Sequence, residues 1–98
     1  MTTTKLLTPV RHYSIAGVCA LLGVPHKDWH LFRRWASGPL NAKALDELNA
    51  YVDVMIADRC RRPGDDLLSL LIQLEFDGEE FTVDDLRAIV ASLVSGAA

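Results

Sequence analysis

Four breaks divide this chain of 98 residues into short runs, and within each run the apolar side chains recur at helical spacing. The breaks are Gly23-Val24-Pro25, Gly38-Pro39, Pro63-Gly64 and Asp77-Gly78. Proline removes a backbone donor and glycine admits conformations other residues avoid, so each pair ends a helix rather than bending it. No segment alternates apolar and polar residues for long enough to make a convincing strand. The fold class is therefore predicted to be all-α, with about five helices in one domain over residues 1–98.

Residues 1–13 read as a weakly structured lead, with Thr8-Pro9 breaking any early helix. Ser14 is a predicted N-cap for a helix carrying Ile15, Val18, Cys19 and Leu22, stopped by Gly23. A second helix, His26 to Ala36, places Trp29, Phe32 and Trp35 on one face, a spacing that reads as core packing. Asn41 caps a third helix running to about Arg62, with Leu45, Leu48, Val52 and Met55 as its seam.

The fourth run, Leu67 to about Glu75, is apolar nearly all round and so prefers burial on every side, which five short helices can hardly give it. Asp77-Gly78 predicts a turn, with a short extended piece near Glu80 and Phe81. Thr82 and Asp85 spell a capping box, and Phe81 is placed to staple onto Leu86. Leu86, Ile89, Val90, Leu93 and Val94 then follow the spacing of one buried face.

Half the residues are hydrophobic and the mean hydropathy is positive. A chain this short buries only roughly 60–65% of its unfolded surface. The surplus points to a protein partner or self-association through exposed apolar helices, with Leu70, Leu71 and Ile72 as contacts. A net charge of −3 gives no pull toward nucleic acid, so no nucleic-acid partner is expected. No run reaches the roughly 18 apolar residues of a membrane span, and the start has no secretory pattern. The chain is read as cytoplasmic, with no membrane partner.

Chemistry-bearing residues are sparse. His26 and His30 share a helix face, but no third ligand accompanies them, so they read as exposed histidines. Asp65, Asp66, Asp84 and Asp85 sit in first helical turns, where carboxylates cap and offset the dipole. Arg33, Arg34 and the cluster Arg59, Arg61 and Arg62 read as solvated helix faces and ends. Cys19 lies among apolar residues and reads as a small buried hydrophobe, whereas Cys60 stands between arginines that would favour its thiolate. No catalytic residue and no metal site are assigned.

Three strings occur in a fixed order: Leu21-Leu22-Gly23-Val24-Pro25, Phe32-Arg33-Arg34-Trp35, and Pro63-Gly64-Asp65-Asp66-Leu67-Leu68-Ser69. In that order they resemble the central helical segment of bacterial cytochrome P450 monooxygenases, the haem-thiolate family. By that resemblance Leu21 to Pro25 ends the family's E helix, His26 to Trp35 is similar to F, and Ala42 to Arg62 to G. Pro63 to Ser69 opens H, and Asp77 to Thr82 is similar to the acidic turn before I, which begins at Thr82.

The resemblance implies a lid made by F and G over a small organic substrate, and an I helix crossing the distal face of the haem. Gly96 and Ala97 would take the cofactor-facing positions of that helix, and Ala98 falls where the family has an acidic residue. The family's Glu-x-x-Arg pair and its Phe-x-x-Gly-x-x-x-Cys-x-Gly loop do not occur in the 98 residues. Without an axial thiolate, iron lacks its anchor and the electron push for O–O cleavage. The expectation is a truncated segment that by itself binds no haem and performs no catalysis, haem and substrate belonging to the intact family fold. The alternative is a helical protein-interaction module, complementing a separately encoded remainder of that fold.

Overall fold

Side-chain caps start three of the helices in the computed structural model, which describes residues 14–75 and 81–97. Helix α1, Ile15–Leu22, starts where the Ser14 hydroxyl accepts from the Gly17 N–H at 3.0 Å. It stops at Gly23, whose φ of 75° is the left-handed conformation that favours glycine. There the Val24 N–H reaches the Cys19 carbonyl at 2.9 Å and the Gly23 N–H reaches Ala20, which satisfies the last carbonyls of the helix.

The run expected as one helix from His26 to Ala36 divides. Pro25 leads into a 3₁₀ turn, His26–Asp28, and α2 proper is Trp29–Ala36. Helix α3, Ala42–Arg61, begins at Asn41, whose side chain accepts from the Ala44 N–H at 2.9 Å. Helix α4 is Leu67–Glu75, and α5 is Val83–Ser95. The capping box is present in both directions: Asp85 N–H to Thr82 Oγ1 at 3.1 Å, and Thr82 N–H to Asp85 Oδ2 at 3.0 Å. The described residues are helical with turns between, as the all-α reading expects. The lead over residues 1–13, the Asp77-Gly78 turn, Glu80 and Ala98 lie outside the described residues.

Helix α3 is the central rod, packed against α4 and α5, while α1 lies against α2, α4 and α5, and α2 also reaches α5. One core joins them. Val18, Cys19 and Leu22 enter it from α1, Phe32 and Trp35 from α2, and Leu48, Val52, Met55 and Ile56 from α3. Leu68 and Ile72 of α4 and Leu86, Val90 and Val94 of α5 complete it.

Helix α4 is not buried all round, as five short helices imply: Leu68 and Ile72 are in the core, but Leu70 is 52% and Leu74 38% exposed. One expectation of burial is corrected. Ile72, expected as a partner contact beside Leu70 and Leu71, is 4% exposed and belongs to the core. On α5 the buried stripe narrows to Leu86, Val90 and Val94, with Ile89 and Leu93 half-buried beside it.

The arginine cluster also separates. Arg61 and Arg62 are solvent-exposed, but Arg59 is tied inward. Its Nε donates to Asp66 Oδ1 at 3.0 Å, and its terminal nitrogens donate to the carbonyls of Leu22, Gly23 and Met55. Asp66 also accepts from the Ser69 N–H at 2.8 Å and so caps α4. One ion pair therefore fastens the ends of α1, α3 and α4 together.

Candidate functional site

The helix positions determine which chemistry the sequence candidates can reach. His26 is exposed and meets the ring of Trp29 edge-on with centroids 4.3 Å apart, and His30 is exposed. Among the described residues no group of three His, Cys, Asp or Glu side chains could hold a metal ion. Asp84 and Asp85 stay at the first turn of α5 as capping and dipole-offsetting groups, and Asp65 is exposed beside the capping Asp66.

The aromatic stripe of α2 is core, as its spacing suggests. Phe32 meets Trp35 at 5.1 Å and Tyr51 at 5.4 Å, both edge-to-face. The polar edges are satisfied: Trp29 Nε1 donates to the Val24 carbonyl at 2.7 Å and Trp35 Nε1 to Glu47 Oε1 at 3.1 Å. Tyr51 donates its hydroxyl to Asp28 Oδ2 at 2.6 Å. Burial first, and then the bonded Asp28 carboxylate, push the Tyr51 phenol far above its ordinary range, so it stays protonated.

The two sulfurs have opposite settings. Cys19 is 0% exposed within the core, and burial pushes its thiol up despite the opposing charge of Arg33. Cys60 is exposed near the C-terminal end of α3. Gly96 ends α5 with its N–H on the Ser92 carbonyl at 3.0 Å and is solvent-exposed, while Ala97 is half-buried against the core.

The recess that combines an apolar floor with uncommitted polarity lies between α3 and α5. Its volume is about 250 Å³, and Leu45, Asn49, Asp84, Arg87, Ala88 and Ala91 line it. The alanines of α5 leave the space, since larger side chains there would close it against α3. Arg87 holds one rim: its Nε donates to Asp53 Oδ1 at 2.8 Å across the helices, and its Nη1 to Asp84 Oδ1 at 3.3 Å. The bond from Arg87, more than its charge, holds the Asp53 carboxyl below the ordinary range against a smaller effect of burial.

Asn49 is the anomaly of this wall. Its Oδ1 is shut off from solvent and accepts no hydrogen bond, the only side-chain nitrogen or oxygen among the described residues in that condition. Neither Gly96 nor Ala97 lines the recess. Sequence reading passed over Asn49, although a signal existed: it is a polar residue four after Leu45 and three before Val52, on the stripe facing the core. The Arg87 to Asp53 tie had no such signal, because its partners lie 34 residues apart.

No family model matches the chain, and no solved structure matches it. Curated relatives do. Pentalenic acid synthase of Streptomyces avermitilis is 39% identical over 85 residues, 80% of this chain and 20% of that protein. Mycinamicin IV hydroxylase/epoxidase of Micromonospora griseorubida is 28% identical over 93 residues, 86% of this chain and 23% of the relative. A protein of Bacillus subtilis named cytochrome P450 is 26% identical over 88 residues, 79% of this chain and 22% of its own. The chain spans about a fifth of the length of these relatives.

Proposed function

We propose that this chain, a partial cytochrome P450-like segment, supplies the cover and one wall of a small-molecule chamber and does not itself hold the haem. In the family resemblance α2 and α3 correspond to the lid helices, and α5 to the helix that crosses the distal side. What supports the reading is their packing here: α3 and α2 lie directly on α5, and the α3–α5 crevice opens between cover and wall.

Haem is the cofactor of the family, and the sulfurs of this chain do not fit it as axial ligands. Cys19 is sealed between Val18 and Leu22 in the core, where a porphyrin could reach it only by unpacking α1. Cys60 stands exposed to water near a helix end, a setting unlike the water-excluding one an oxygen-activating iron needs. The placement of Cys19 is the single observation that carries this half of the proposal. No step of an oxidation is assigned to these residues.

The test is a haem titration of the purified chain, followed by reduction under carbon monoxide. The expected result is no stoichiometric uptake and no thiolate-type Soret band. A thiolate band that disappears in Cys19→Ser or Cys60→Ser overturns the proposal.

A further inference from the structure

The orphaned oxygen of Asn49 has a consequence for what the α3–α5 crevice selects. A buried acceptor without a donor costs the fold its desolvation without return, and the usual remedy is a water or a neighbouring side chain. Arg87, the one strong donor lining the crevice, is committed to Asp53 and Asp84. Asn49 itself is half-buried and lines the crevice, so its carboxamide stands at the boundary between core and recess. The terminal torsion of asparagine is soft and broad. Turning Oδ1 toward the recess breaks no bond that Oδ1 makes, and it carries the Nδ2 amide the other way, so the turn has to be driven by a donor in the recess.

The rest of the recess is hydrocarbon at Leu45, Ala88 and Ala91, beside the Arg87 and Asp84 pair, whose charges are engaged with each other. A volume of about 250 Å³ is smaller than the roughly 300–1,000 Å³ of drug-sized pockets. It suits a compact molecule or one end of a longer one.

We propose that the crevice takes a small, largely hydrocarbon alcohol, and that Asn49 selects it by accepting the hydrogen bond of its hydroxyl. This rests on reading α3 and α5 as cover and wall of a chamber. Asn49 then acts as a specificity residue. An ether of the same body fills the space but leaves the acceptor unpaired, and one hydrogen bond of this kind is worth about a tenfold difference in affinity.

The test follows backbone amide shifts of the full chain while cyclohexanol, or in parallel methoxycyclohexane, is added. Cyclohexanol is expected to move the signals of Leu45, Asn49, Ala88 and Ala91 and to bind about tenfold more tightly than the ether. In Asn49→Leu the preference is expected to vanish while the thermal midpoint rises, because an orphan acceptor has been replaced by hydrocarbon. Asn49→Ala, which removes the acceptor without adding bulk, is expected to lose the preference too. Equal binding of the two probes to the wild-type chain overturns the selection, as does a preference that survives both variants. Shifts absent from the crevice with either probe overturn it as a ligand site. Failure of the cover-and-wall reading registers separately, as thiolate-bound haem in the titration.

Discussion

Phe32→Ala is expected to destabilise the chain by about 3–5 kcal/mol, measured as a fall in the urea midpoint at unchanged slope. Phe32 is fully buried and is the largest side chain in that condition. Its ring is the meeting point of α2 and α3, edge-to-face with both Trp35 and Tyr51. Removing it costs the transfer of the ring from water, the cavity left between two helices, and two aromatic pairs worth about 0.5–1.5 kcal/mol each. A domain of this size has about 5–15 kcal/mol in total, so the loss takes a large share of it. Phe32→Leu keeps much of the volume and is expected to cost less. A change below about 1 kcal/mol for the alanine variant means that α2 does not dock on α3 through this ring.

The second large effect is expected at the junction of α1, α3 and α4. Arg59→Met keeps the aliphatic stem but removes the charge, and should cost about 3 kcal/mol. The pair with Asp66 is mostly buried, with side chains 11% and 14% exposed, so each partner depends on the other rather than on water. Losing the guanidinium leaves the Leu22 and Gly23 carbonyls without their donor as well. Gly23 stands close for the same reason: a Cβ there would lie 2.9 Å from Arg59 Nη2, at a backbone angle that already disfavours a side chain.

The same junction gives a pH dependence. Burial alone would raise the Asp66 carboxyl, but the Ser69 N–H and the Arg59 guanidinium outweigh it and hold it below the ordinary carboxylate value. A depressed folded-state value stabilises the fold above the unfolded carboxylate range, and the benefit fades as pH falls from about 4 through the lower, folded value. Urea midpoints should therefore drop in that window for the wild-type chain. Arg59→Met, which has already lost the pair, should drop less.

These two sites differ in how far the sequence revealed them. Phe32 lay on a stripe with Trp29 and Trp35, and helical spacing alone marked it as core. Ser14, Asn41 and Thr82 were legible as caps because a cap bonds its partner three residues on, within the range that local reading covers. Arg59 was not legible. Its charge favours the C-terminal end of a helix wherever it points, and two of its carbonyl partners, Gly23 and Leu22, lie 36 and 37 residues away in the chain. Ile72 was misplaced for a related reason: hydrophobicity says that a side of α4 prefers burial, but only the tertiary arrangement says which side a neighbour covers.

The crevice was half-visible. The small residues and the apolar stripe of α5 were in the sequence, but the gap they leave depends on how closely α3 approaches. The orphan state of Asn49 exists only once Arg87 is known to be committed to Asp53 and Asp84. The family resemblance names α2 and α3 as lid and α5 as wall, and the relatives match about four-fifths of the chain. Gly96 and Ala97, singled out by that resemblance, stand at the end of α5 and away from the crevice.

The account depends most on the 98 residues closing their own core around Cys19. Titrating the native chain with an aromatic disulfide reagent tests this directly, because the two thiols report on opposite environments. One thiol per chain, that of Cys60, should react promptly, and the second should react only at the rate of global unfolding. Prompt reaction of both thiols in the folded chain would show an open α1, a sulfur within reach of iron, and a fold other than the one described.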